Sequence, residues 1–300
     1  MRPFDAHTRP SRLDRRRFCL SLAATALMTP ALTHPALAEA MENAALAPEI
    51  RAIKERGQLI VGMTRFDSPP FYYRSSAATG DQSPSLNGWD VEFARSLARL
   101  LDVELVLNRE AAAFNDVVEL ASMGAVDVAI SKLSITARRA LTVQFTTPSI
   151  NLRHALLVNR AALAQRHGEG DVKAMLNRDF DGRLGVIANS SYAETAKHIF
   201  TRATLREFAN WDEVVEAVNR GAVDLAYRDE LEVKKLMRLR PDLHLNLGST
   251  LITDIRDSIA FAVPGRSAQL LSVLNIMLAQ RQQFDANQLL DQYSDIFAAT

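Results

Sequence analysis

Cysteine is almost missing from this chain: Cys19 is the sole one in 300 residues, and it stands ahead of an uncharged N-terminal segment. Once that segment is removed, disulfides, thiolate metal sites and a catalytic cysteine are all excluded. Net charge is missing too, since 35 basic residues face 35 acidic ones. Residues 1–38 hold six Arg and two Asp, which leaves 29 basic and 33 acidic residues and a charge of −4 on the remainder. No basic face for a nucleic acid follows from that balance. His154, His167, His198 and His244 have no metal-ligand spacing, and neither a glycine-rich phosphate loop nor a motif-supported Ser/His/Asp order occurs. No metal or cofactor is expected.

A long apolar run is also lacking. Pro30, His34 and Pro35 interrupt the N-terminal uncharged stretch and leave it short for a membrane-spanning helix. Arg15, Arg16 and Arg17 precede it, and Ala36-Leu37-Ala38 follows as a small-residue cleavage site. The paired arginines and Phe18 resemble a twin-arginine export signal, with Cys19 where that motif usually has Leu. Export, cleavage near Ala38 and a soluble mature protein are expected.

What the sequence does contain is a repeat. "FNDVVELASMGAVDVAI" from Phe114 and "WDEVVEAVNRGAVDLAY" from Trp211 share eight identities in seventeen positions at a constant offset of 97. Each copy reads as helix, turn and strand: Val117, Val118 and Ala121 recur at helical spacing, Gly124 or Gly221 suits a left-handed helix end, and an apolar run follows. Two copies so far apart fit two similar α/β lobes better than a solenoid. A chain of 300 residues with 48% apolar content is long enough for both. Asp127 and Asp224, at the strand starts, are expected to be structural.

Along the chain, "GQLIVGM" predicts a buried strand, and "WDVEFARSLARLLD" a helix with Val91, Ala94, Leu97 and Leu101 on one face. "HALLVN" and "DSIAFAV" are apolar runs placed to cross between lobes, "AQRHGEGDVKAMLNRDFDG" a polar surface excursion, and "LLSVLNIMLAQRQQFDANQLLDQY" a closing amphipathic helix.

From about Leu59 to Phe297 the sequence resembles the family 3 solute-binding proteins, periplasmic amino-acid receptors of ABC importers. Four landmarks carry the resemblance in order: "VGMTRFDSPPFYY", "NGWDVEFARSLARLLDVEL", "VDVAISKLSITARRALTVQFTTPS", and "GVIANSSYAE" with "GAVDLAYRDELE". Ser68 and Ser149 depart from the family's usual aromatic residues. The resemblance implies an α/β, two-lobed periplasmic binding protein (type II) with a ligand cleft between lobes joined by two crossover strands. The expected division is 1–38 as signal, 39–152 plus 259–300 as lobe 1, and 153–258 as lobe 2. A soluble monomer serving permease subunits of the inner membrane is implied as well.

A free amino acid presents a carboxylate and an ammonium, so its site needs a guanidinium fork with donors and an acid. Carried over by its motif, Arg139 would grip the α-carboxylate, helped by Ser134, Ser190 and Ser191; Asp229 would take the ammonium, and Ser131 stands among the ligand-binding candidates at the end of the first repeat's strand. Phe114 would pack on the ligand, while Trp211, its repeat partner, is expected in core or hinge packing. Arg65 and Lys132 are a positive surplus facing the side chain, which points to an acidic or small polar ligand. Arg65 could instead be solvated or paired with Asp67, and Asp257 could instead recruit a cationic side chain. Two other functions share the fold: a cyclohexadienyl dehydratase, whose acid catalyst falls at Glu232, and a receptor that signals to a membrane sensor. Against the first, Glu232 beside Lys235 also reads as an ordinary solvated helix face.

Overall fold

The computed structural model describes residues 45–74, 85–167 and 180–298, all within one unit of the chain. The expected export signal and cleavage site lie outside these residues. So do residues 75–84 and residues 168–179, on which most of the expected polar excursion falls.

Helix α1 (Pro48–Arg56) leads into β1 (Gln58–Thr64), and the short pair β2 (Tyr73–Arg74) and β3 (Leu86–Asn87) precedes α2 (Trp89–Leu101) and β4 (Glu104–Ala111). The first repeat is α3 (Phe114–Met123) and β5 (Val128–Ser134), followed by α4 (Ala137–Ala140) and β6 (Val143–Phe145). The chain crosses on β7 (Ile150–Asn159) to α5 (Arg160–His167), β8 (Arg183–Ile187), α6 (Ser191–Ile199) and β9 (Thr204–Phe208). The second repeat is α7 (Trp211–Asn219) and β10 (Leu225–Asp229), after which α8 (Glu230–Leu239) and a 3-10 turn lead to β11 (Leu247–Pro264). Helices α9 (Ala268–Ala279), α10 (Ala286–Gln292) and α11 (Ser294–Ala298) close the fold.

The main sheet runs β4-β1-β5-β11-β7-β10-β8-β9, with β6 also on β11. Strands β4, β1 and β5 are parallel, and so are β9, β8 and β10. Between these two triplets, β11 and β7 pair antiparallel with each other and with the triplets' inner strands. The molecule therefore has two α/β lobes joined by two crossover strands. The pairing of β7 with β11 breaks once, between Ile252 opposite His154 and Arg256 opposite Arg153, so three extra residues of β11 bulge at the crossing.

The repeat is exact at the level of hydrogen bonds. Gly124 and Gly221 adopt φ of 72° and 70°. Behind them Ala125 N–H donates to Leu120 O at 2.9 Å and Ala222 N–H to Ala217 O at 2.8 Å, the same helix-ending bond in both lobes. Asp127 accepts from Ile60 N–H at 2.7 Å, and Asp224 from Arg183 N–H at 2.7 Å. Each aspartate thus ties the start of its strand to the neighbouring strand, at the end away from the cleft. Valines 126 and 223 explain the middle of GAVD, because each packs on a glycine, Gly62 or Gly185, where a Cβ would come within 3.1 or 3.2 Å of it.

Two expectations about elements need correction. The return crossing begins at Leu247, ten residues before "DSIAFAV", because Leu247–Ile252 is already paired to β7 ahead of the bulge, although part of its surface is exposed. The tail is not one helix: Asp285 accepts from Asn287 and Gln288 N–H and starts α10 afresh.

Candidate functional site

The carboxyl ends of β5 and β10 meet between the lobes, where ligands of open α/β sheets lie. A cavity of about 10 Å³, room for roughly one water, is enclosed there by Phe114, Lys132, Ser134, Arg139, Ser191, Tyr192, Arg228, Asp229, Asp257 and Ile259. Seven of the ten residues expected from sequence are in this wall. Arg228 also lines a wider groove of about 550 Å³ that runs outward past Phe66, Ser68, Trp211 and Lys235. Trp211 is half-buried there, lining the groove, and its indole N–H has no acceptor among the described residues.

Arg139 is placed by the short α4, whose first turn is capped by the Thr136 hydroxyl. Its Nε and Nη2 donate to Asn115 Oδ1 at 3.0 and 2.7 Å, and its Nη1 to Ser134 O at 2.9 Å. Three anchors leave two N–H groups of the fork for a ligand. Burial pulls the guanidinium down to about 10, against the pull of Asp257 and Glu194, so it stays charged at neutral pH.

Across the cavity, Asp229 is both cap and wall. Its Oδ1 accepts from Glu232 N–H at 3.1 Å, which starts α8. Lys132 Nζ lies 3.1 and 2.9 Å from the two Asp229 oxygens and 2.8 Å from Glu232 Oε1. Lys132 reaches over from a left-handed backbone conformation, φ 48°, which a side-chain-bearing residue adopts at a cost of about 1 kcal/mol or more. Glu232 is buried, not the solvated face expected, and Lys235 Nζ holds its other oxygen at 2.6 Å. Burial pushes the Glu232 carboxyl up, but Lys132, Lys235 and Arg228 outweigh it and hold the group well below the usual carboxylate range.

Arg228 was not among the expected residues. It is buried, sits over the Phe114 and Tyr192 rings at 5.3 and 5.5 Å, and faces Asp229 Oδ2 at 3.6 Å. Its Nε has no hydrogen-bond acceptor among the described residues. Burial would lower its pKa, yet the carboxylates of Asp229 and Glu232 leave it raised. Tyr192 was missed as well; its hydroxyl donates to Asp257 Oδ2 at 2.7 Å. The signal for both lay in adjacency, since Arg228 directly precedes Asp229 and Tyr192 directly follows Ser191.

Three expected residues fall outside the wall. Ser131 is spent inside lobe 1, where its Oγ accepts from Thr64 N–H at 3.0 Å and bonds Tyr72 OH at 2.9 Å. Ser190 caps α6, donating to Ile187 O at 2.6 Å and accepting from Ala193 N–H at 3.2 Å. Arg65 is exposed, and Asp67 pairs instead with Arg109 at 2.9 Å. Phe114 is core and wall together, edge-on to Phe66 at 5.4 Å. Ser191 joins the lobes by donating to Ser134 Oγ at 2.9 Å.

Around the cavity the lobes also touch through Asn115 and Asn189 at 3.1 Å, Asn189 and Asp116 at 2.9 Å, and Lys235 and Pro69 O at 3.1 Å. A polar, charge-dense chamber at the seam of two α/β lobes defines a class: two-lobed binding proteins that clamp a small solute. The family model of bacterial extracellular solute-binding proteins, family 3, matches residues 59–293, and the chain belongs to that family. It is 25% identical over 244 residues to the L-cystine-binding protein TcyJ of Escherichia coli K12, covering 81% of this chain and 84% of that one. Among solved structures, it resembles the amino acid ABC transporter substrate-binding protein AbpA of Streptococcus pneumoniae, bound to L-arginine. That likeness has TM-score 0.65 at 24% identity and covers 83% of this chain and 98% of the other. The ancestral amino acid-binding protein AncCDT-1, a precursor of cyclohexadienyl dehydratase, matches with TM-score 0.63 at 20% identity, over 82% and 99% of the two chains. These last two likenesses speak for the fold.

Proposed function

We propose that this protein is a periplasmic receptor that closes its lobes on a small carboxylate-bearing solute of amino-acid size and delivers it to the permease subunits of an ABC importer. The observation that carries this is Arg139, a buried guanidinium with two N–H groups left over, at the seam between lobes. The cystine- and arginine-binding relatives support a free amino acid as the solute class. Three cations against two anions in the wall favour an acidic or small polar side chain, with Arg228 supplying the surplus charge in place of Arg65. Signal cleavage near Ala38, a monomeric mature form and the lobe limits 39–152 plus 259–300 and 153–258 belong to the same proposal. The break in β11 between Ile252 and Arg256 supports the inner limits. A dehydratase needs a proton on its acid catalyst, and a Glu232 held ionised by two ammoniums is poorly suited to give one.

Native mass spectrometry of gently purified mature protein tests this, with a retained small organic acid or amino acid at one per chain as the expected result. The proposal fails if nothing is retained and calorimetry detects no binding of glutamate, aspartate, glutamine, serine or their amine-free carboxylate analogues.

A further inference from the structure

An amino-acid receptor needs an acceptor for the ligand's ammonium, and in this cleft that acceptor is already engaged by the protein. Asp229 is the carboxylate at the end of β10, and its oxygens take Lys132 Nζ at 3.1 and 2.9 Å, with Glu232 N–H on Oδ1 and the Arg228 guanidinium beside Oδ2 at 3.6 Å. Glu232, the next acid along α8, takes Lys132 on one oxygen and Lys235 on the other, at 2.8 and 2.6 Å. The remaining acid of the wall, Asp257, accepts the Tyr192 hydroxyl at 2.7 Å and lies in the field of Arg139.

We infer that Lys132 takes the place of a ligand's α-ammonium, and that the solute is an amine-free organic acid, such as a 2-oxo acid, a 2-hydroxy acid or a dicarboxylate. Geometry carries this. The Lys132 ammonium lies midway between two carboxylates, is buried, and is brought there by a strained φ of 48°, so the site is organised around a cation of its own. A second ammonium at Asp229 would meet like charge at close range in a low-dielectric chamber. Displacing Lys132 from Asp229 would leave a buried cation with Glu232 alone, a carboxylate already shared with Lys235, which costs more than an unmade hydrogen bond. The anion side is unfilled by comparison: Arg139 keeps two free N–H groups, and the buried Arg228 Nε has no acceptor among the described residues. The wall's cations Lys132, Arg139 and Arg228 outnumber Asp229 and Asp257 by one, so a carboxylate without an ammonium neutralises the chamber where a neutral zwitterion does not.

This inference rests on the receptor function proposed above and changes one group of the ligand. Calorimetric titration of unfolded-and-refolded, ligand-free mature protein tests it with pairs that differ at the α-substituent: L-glutamate against 2-oxoglutarate, L-aspartate against L-malate, L-alanine against L-lactate. The expected result is at least one pair in which the amine-free member binds tenfold or more tightly than the amino acid, with that ratio reduced or inverted in Lys132→Ser. Tighter binding of the amino acid by the parent protein overturns the inference and leaves the receptor standing. An unchanged ratio in a folded Lys132→Ser overturns it too. If neither protein binds any member, receptor and inference fall together.

Discussion

Lys132 and Asp229 occupy the same position of the two αβ repeats, 97 residues apart, and bond to each other across the cleft at 2.9 Å. Asp229 ends its repeat's strand and Lys132 lies two residues from the end of the other, where a two-lobed design brings equivalent positions face to face. The pair is therefore a contact between the halves of a duplicated unit, one half carrying the cation and the other the anion. Everything expected of the cleft turns on that asymmetry and on the guanidiniums beside it.

Removing the Arg139 fork removes a buried, charge-assisted grip on a carboxylate. Arg139→Ala is expected to weaken binding of the cognate solute by at least about thirtyfold, the equivalent of about 2 kcal/mol. Asn115→Ala, which frees two of the three anchors of that side chain, should cost about three- to tenfold through misplacement. Calorimetric titration of both variants reads the order directly; equal affinities across parent and variants would remove Arg139 from the site.

Asp90, at the start of α2, is buried, with Arg281 and the backbone N–H and ammonium of Lys132 in its surroundings. Burial raises its pKa from 3.8 to about 7, with Arg281 and Lys132 opposing. The folded protein thus holds this proton more tightly than the unfolded chain. Its contribution to stability is complete below about pH 4 and is lost as pH rises through about 7. Asp90→Asn should raise Tm at pH 8 and flatten the decline between those limits. Parallel Tm-against-pH curves for parent and variant would contradict it.

The two GAVD aspartates do the same work in unequal surroundings. Asp224 is 1% exposed and is bound by the Arg183 guanidinium and backbone, whereas Asp127 is 15% exposed. Asp224→Ala is expected to cost about 2 kcal/mol, by unpairing the half-buried Arg183 backbone and guanidinium donors from a buried carboxylate, and Asp127→Ala about 1 kcal/mol. Denaturant titration compares them; a larger loss at Asp127 would show that exposure does not set the difference.

The proposed export and cleavage give an expected mature chain that begins near Glu39, after the small-residue site at Ala36-Leu37-Ala38. Intact-mass measurement of protein from the periplasmic fraction checks this, and recovery of the uncleaved chain from membranes would refute it.

The repeat was legible because its two copies share glycine, valine and aspartate for local reasons that leave marks in sequence: a left-handed helix end, a close approach to a strand glycine, and a strand-start tie. Arg139 entered as a candidate through its place in the family landmark "VDVAISKLSITARRALTVQFTTPS". The errors came from residues whose type suits two jobs. Ser131 and Lys132 are neighbours on one strand and so face opposite ways; the alternation that puts Lys132 and Ser134 in the chamber sends Ser131 into lobe 1. Ser190 was needed by its own helix. Arg228 escaped notice because alternation should have turned it away from Asp229, and the strand ends there, where the chain bends into α8. That Lys132 would meet Asp229 was implicit in the offset of 97, yet only folding shows that equivalent strand ends converge.

Strand β11 pairs with β5 of one triplet, β7 pairs with β10 of the other, and the two pair with each other, so neither half has a closed set of backbone pairings of its own. Heat then meets one cooperative body, and stripping β11 away would leave β5 and β7 with bare edges at once. A solute that grips only one half still shields the other from unfolding.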